Sequence, residues 1–88
     1  MKPRDDTNTD IGSASTYVFT KPLSLGSRGT EVSELQKRLK ALEYFLYPEI
    51  TGYFGAVTKK AVIDFQKANG IDPIGIVGPK TRAVLNGI

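Results

Sequence analysis

Acid–base or nucleophilic chemistry in this 88-residue sequence would rest almost wholly on carboxylates, because it contains neither histidine nor cysteine. That absence removes disulfides, thiolate and imidazole metal sites, and every mechanism with a Cys nucleophile or a His base. The carboxylates of residues 22–88 are Glu31, Glu34, Glu43, Glu49, Asp64 and Asp72. Cleaving a glycosidic bond needs two such groups flanking it. No pair is evident in the sequence, and most of the six fall where exposed helix charges normally sit. No serine lies in a nucleophile elbow, and no Asp-rich loop offers oxygen ligands to calcium. The reading is non-catalytic, with no catalytic residue, metal or cofactor expected.

Binding chemistry is better represented. Tyr44, Phe45, Tyr47 and Tyr53 place half of the eight aromatic residues within ten positions. Tyr47, beside Pro48, and Tyr53 fall on a loop and are expected to be exposed; Phe54 and Tyr44 are expected in the core. Arg28 stands in the turn Gly26-Ser27-Arg28-Gly29. It could clamp a carboxylate with two parallel hydrogen bonds, pair with Glu31, or simply face solvent. Gln36 and Gln66 each follow a core residue, so their amides are expected to hydrogen-bond loop backbone, with ligand contact the lesser alternative. The candidate ligand contacts are Arg28, Tyr47, Tyr53 and Gln66. Lys37, Arg38, Lys40, Lys59 and Lys60 read as solvated helix faces with at most a steering role.

Three helices must position these residues. Val32, Leu35, Leu39 and Leu42 recur at helical period, with Thr30 as the expected N-cap and Glu31 and Glu34 at the positive end of the dipole. A second helix is predicted from about Ala56 to Ala68, with Val57, Ala61, Phe65 and Ala68 as its stripe and Asn69-Gly70 as its stop. A third opens at Gly78-Pro79, with proline at the first helical position. It turns Val84 and Leu85 inward and ends near Asn86-Gly87. The connections repeat: Gly52-Tyr53-Phe54-Gly55-Ala56-Val57-Thr58 matches Gly75-Ile76-Val77-Gly78-Pro79-Lys80-Thr81. Each bends sharply into a helix, with Phe54 or Val77 dropping into the core.

Length allows one small domain. Residues 1–21 read as a flexible tail or linker: they are polar, with charges that cancel, and bury too little apolar surface to offset ordering entropy. Tyr17-Val18-Phe19 is the exception, a candidate extended arm. Residues 22–88 then carry the whole net charge of +3, short of a dedicated nucleic-acid binder. The longest aliphatic run is Ala61-Val62-Ile63, against the ~20 residues a spanning helix needs. No membrane partner is expected, and no export signal is visible.

The ordered set Gly26-Ser27-Arg28-Gly29-Thr30-Glu31-Val32, Leu35-Gln36-Lys37-Arg38-Leu39, Gly52-Tyr53-Phe54-Gly55, Thr58, Ala61-Val62, Phe65-Gln66, Asn69-Gly70, Gly75-Ile76-Val77-Gly78-Pro79, Thr81 and Leu85 resembles the peptidoglycan-binding domain family. These are small three-helix modules found beside cell-wall hydrolases, and the likeness spans residues 23–86. It implies an all-α three-helix bundle with two ordered Gly-rich loops. It further implies a monomer that binds peptidoglycan, through glycan strand or stem peptide, and holds a covalently linked hydrolase domain near the wall. Action would be extracellular, the chain being a fragment or a phage protein whose export signal lies elsewhere.

Three positions depart from the family pattern. Glu43 stands where glycine is usual before the aromatic pair, and Thr51 and Ile74 replace the Asp or Asn before each loop glycine. Thr51 can still bond nearby backbone; Ile74 cannot. The rival readings are a protein-interaction module of the same fold and a helix-turn-helix DNA binder. The latter is opposed by a short third helix offering only Lys80, Arg82 and Asn86 to base edges, so no nucleic-acid partner is expected.

Overall fold

A computed structural model describes residues 17–87. It contains three helices: α1 over Thr30–Ala41, α2 over Ala56–Ala68 and α3 over Pro79–Asn86. No strand occurs among the described residues, so the fold is the expected all-α bundle. Val32, Leu35 and Leu39 of α1, Ala61, Val62 and Phe65 of α2, and Leu85 of α3 form the shared core, which Phe54 and Val77 enter from the two loops.

The sequence pattern needs correction where polar residues take inward positions. Along α2 the buried residues are Thr58, Ala61, Val62, Phe65 and Gln66. Val57 is exposed, as is Ala68. Thr58 and Gln66 turn in because the loop backbone needs partners that only buried polar side chains can supply. Leu42 is the C-cap of α1 and partly exposed, so the α1 stripe ends at Leu39. Thr30 is the first residue of α1 and not its cap; Gly29 holds that place, with φ 120° and no side-chain hydrogen bond. Val84 of α3 is half-buried beneath the fully buried Leu85.

Glu43 adopts φ 69°, the left-handed region that glycine enters without steric cost. This bend lets the Leu39 carbonyl accept both the Tyr44 N–H at 2.8 Å and the Phe45 N–H at 3.2 Å. The chain reverses, and Phe45 becomes the sealed aromatic of the pair. Tyr44, expected in the core, is only half-buried, with its ring edge-on to Phe65 at 5.8 Å.

The candidate arm at Tyr17-Val18-Phe19 packs on the domain through Tyr17 and Phe19, and the attachment extends to Lys21, so residues 17–21 lie against α1 and α3. Phe19 is buried, and its backbone exchanges two hydrogen bonds with the Asn86 amide, at 2.7 and 3.0 Å. The Glu31 carboxylate accepts from the Tyr17 hydroxyl at 2.7 Å and from the Lys21 and Thr20 N–H groups at 2.6 and 3.1 Å. Arg38, read as a solvated charge, is buried; it donates to the Leu85 carbonyl and lies 5.3 Å over the Phe19 ring. The tail expected over residues 1–16 falls outside the described residues. Residues 23–29 run on along both glycine loops, Leu23 pairing antiparallel with Val77 and Arg28 with Tyr53.

Candidate functional site

The first loop is built around one buried amide. Gln36 donates from Nε2 to the Tyr53 carbonyl at 3.0 Å, Thr51 Oγ1 at 3.1 Å and Thr58 Oγ1 at 3.0 Å. Its Oε1 accepts from the Thr51 and Gly52 N–H groups at 2.9 and 3.0 Å. Both ends of the amide are therefore saturated. Thr51 does what its hydroxyl allows in place of a carboxylate, accepting from the Tyr53 N–H at 3.2 Å. Gly52 has φ 75°, and a Cβ there would sit 2.9 Å from Ser33 Oγ, so any other residue would be strained at the bend and would have to displace the serine hydroxyl. With Phe54 anchored in the core, the neighbouring Tyr53 must face outward; it is 41% exposed.

Tyr53 and Tyr47, itself 43% exposed, meet at one cleft of about 240 Å³. Phe45, Ala56 and Val57 supply its apolar wall, and Gln36, Thr51 and Thr58 lie behind. Val57, misread as core, is thus a wall residue of the cleft. Arg28 lies with its guanidinium carbon 4.6 Å over the Tyr53 ring, a cation–π contact. The backbone holds this pair in place: Phe54 N–H donates to the Ser27 carbonyl at 2.8 Å and Gly29 N–H to the Gly52 carbonyl at 2.9 Å. Gly55 completes the mount, since a Cβ there would come within 3.1 Å of the Tyr53 ring. Of the alternatives for Arg28, the pairing with Glu31 is not used: that carboxylate is occupied by the residue 17–21 arm.

Such a cleft offers two aromatic rings to the apolar face of a sugar, with a guanidinium beside them for a carboxylate. No carboxylate among the described residues lines it. Among the described residues, no group of three or more acidic side chains is placed to share a metal ion.

Gln66, the fourth candidate contact, is elsewhere. It builds the second loop as Gln36 builds the first, donating to the Ile76 carbonyl at 2.9 Å and Thr81 Oγ1 at 3.1 Å. Its Oε1 accepts from the Gly75 N–H at 2.9 Å. A second cleft, of about 290 Å³, opens there, lined by Gln66, Ile74, Ile76 and Thr81 among others. The structure therefore brings Arg28, Tyr47 and Tyr53 together and leaves Gln66 apart. The repeat in the sequence signalled two equivalent loops, but not that each would carry a cleft. Nor did it disclose Glu31 as the anchor of residues 17–21: Glu31 looks like an ordinary first-turn acid, and its partners lie outside the helix.

Comparison with known proteins bears on the whole arrangement. A family model described as "Putative peptidoglycan binding domain" matches residues 28–85. The chain is 43% identical over 74 residues to a probable N-acetylmuramoyl-L-alanine amidase of Bacillus licheniformis, covering 76% of this chain and 20% of that protein. It is 38% identical over 81 residues to the zinc D-Ala-D-Ala carboxypeptidase of Streptomyces albus G, covering 84% and 30%. Among solved structures, the SleB N-terminal domain superposes with a TM-score of 0.73 at 32% identity, covering 78% of this chain and 93% of that one. The chain thus spans a fifth to a third of the two enzymes it matches.

Proposed function

The chain belongs to the peptidoglycan-binding domain family, and from that premise we propose that it binds bacterial cell wall without catalysis and holds a linked hydrolase domain on its substrate. The observation that carries this reading is the first cleft: two half-exposed tyrosines on a Gln36-bonded loop, with Arg28 stacked on one of them and no carboxylate among the described residues that line it. Tyr47 and Tyr53 are the platform for sugar faces; Arg28 takes a wall carboxylate at the platform's edge. Gln36 is a positioning residue, and the relatives' amidase and carboxypeptidase names describe the class of partner domain such a module would serve. The site of action is the wall.

The test is a pair of variants. Phe54→Ala empties a fully buried position, a change that typically costs about 3–5 kcal/mol, and should largely unfold a domain of this size. Tyr53→Ala should keep stability within about 0.5 kcal/mol, as exposed changes usually do, yet weaken retention on purified sacculi. Thermal melting and sacculus co-sedimentation read both. A Tyr53→Ala variant that sediments as well as the parent would show the first loop to be a structural corner and not the site.

A further inference from the structure

The two loops are equivalent in sequence, and the structure makes them equivalent in space. Thr51, Tyr53, Gly55, Ala56 and Thr58 of the first cleft correspond through the repeat to Ile74, Ile76, Gly78, Pro79 and Thr81 of the second. Gln36 and Gln66 play the same part beneath them. Their bonding differs, first because Gln36 Nε2 also donates to Thr51 Oγ1, where the second loop has Ile74 and no hydroxyl. Second, Gln36 Oε1 accepts two backbone N–H groups, whereas Gln66 Oε1 accepts only that of Gly75, because Ile74 N–H donates instead to the Asp72 carbonyl at 2.9 Å. One acceptor position on the Gln66 amide is left unspent. Thr81 Oγ1 likewise accepts from Gln66 without donating, while its counterpart Thr58 also lies within 3.5 Å of the Tyr53 carbonyl as donor. Gln66 and Thr81 are each about 98% buried or more, and both line the cleft.

We infer that the second cleft is a second ligand site, and that it takes a short peptide with small aliphatic side chains. A peptide unit presents one N–H and one C=O, the complement of a free acceptor on Gln66 and a free hydroxyl proton on Thr81. The walls are aliphatic, Ile71, Ile74, Ile76 and Pro79, with no aromatic ring on which a sugar could stack. Asp72 and Lys80 stand at the same cleft, so it offers both signs of charge to a peptide with an ammonium and a carboxylate. Ile74 and Ile76 are about half exposed, apolar surface that such a ligand would cover. The inference rests on the wall-binding reading in this respect: the wall's stem peptides have this chemistry, and one polymer could then engage both clefts at once, sugar at the first and peptide at the second.

The experiment is an amide-resolved NMR titration of the full chain with two probes, a synthetic stem pentapeptide ending in D-alanyl-D-alanine and an N-acetylglucosamine–N-acetylmuramic acid disaccharide. The pentapeptide should shift the amides of Gly75, Ile76, Lys80 and Thr81, and the disaccharide those around Tyr53 and Gly55. Ile76→Asp, a substitution at an exposed position that leaves the core intact, should weaken the pentapeptide at least tenfold and leave the disaccharide shifts unchanged. Pentapeptide shifts confined to the first cleft, no pentapeptide shifts at all, or an affinity indifferent to Ile76→Asp would each overturn the second site. Failure of the wall-binding reading is read separately, as intact sacculi that do not retain the protein and a disaccharide that shifts nothing.

Discussion

At the scale of single residues, the departures from the family pattern have physical outcomes that can be measured. Glu43 keeps the left-handed bend, at φ 69°, that glycine would make more cheaply. A side chain in this region costs roughly 1–2 kcal/mol, partly offset by the greater unfolded-state freedom of glycine. Glu43→Gly should therefore stabilise the domain by about 0.5–1 kcal/mol, read as a rise of several degrees in Tm. A fall in Tm would mean that the Glu43 side chain makes a contribution larger than its backbone strain. Thr51 was legible in the sequence as a weaker stand-in for Asp, and its hydroxyl does bond the Tyr53 N–H. The burial of Gln36, Gln66 and Arg38 was legible only in part. The glutamines follow core residues, which hints at it; nothing local distinguishes Arg38 from Lys37 or Lys40, because its carbonyl partner belongs to α3, 47 residues away.

At the scale of elements, helix bounds came through well because their signals are local: α2 runs from Ala56 to Ala68, as its period and its Asn69-Gly70 stop predict. Long-range pairing did not. The attachment of residues 17–21 depends on Glu31 and Asn86, one ahead in sequence and one near the other end. Burial by itself would raise the Glu31 pKa, but hydrogen bonds from the Tyr17 hydroxyl and the Lys21 and Thr20 N–H groups outweigh it and hold the carboxyl below its ordinary value. A depressed folded-state pKa gives stability that is present above the unfolded value and lost as pH falls through the folded one. The Tyr17 hydroxyl, bonded to that carboxylate, is shifted up, so its contribution is present below about pH 10 and lost at more alkaline pH. Glu31→Gln should cost about 1.5–3 kcal/mol, the range for hydrogen bonds to a charged group. It should also flatten the decline in Tm on acidification below about pH 5, where unfolded carboxyls begin to protonate. A melting series across pH 3–7, in the range of ordinary carboxylate titration, reads both, and an unchanged acid limb in the variant would assign that decline to other carboxylates.

At the scale of the whole molecule, one small core supports two loops whose rigidity serves their clefts. Each loop is fixed by an amide beneath it, a core anchor within it and residues 23–29 beside it. A linked catalytic domain would gain by effective concentration: modest affinity at a rigid site keeps an enzyme near an insoluble polymer between cuts. The mild positive charge would aid the approach to an anionic wall, while the proposed aromatic and amide contacts would carry the binding. Phosphate-driven binding behaves otherwise, falling steeply with salt as counterions are released. The most direct measurement is co-sedimentation of the purified protein with bacterial sacculi across a salt series, with duplex DNA titrated in parallel. The expected result is that the protein pellets with sacculi, weakened but not abolished at about 0.5 M salt, where exposed charges are screened within a few ångströms, while sacculus turbidity stays constant and DNA binds only weakly. Protein left in the supernatant at low salt, clearing of the sacculi by this chain alone, or nanomolar DNA affinity at physiological salt would contradict it.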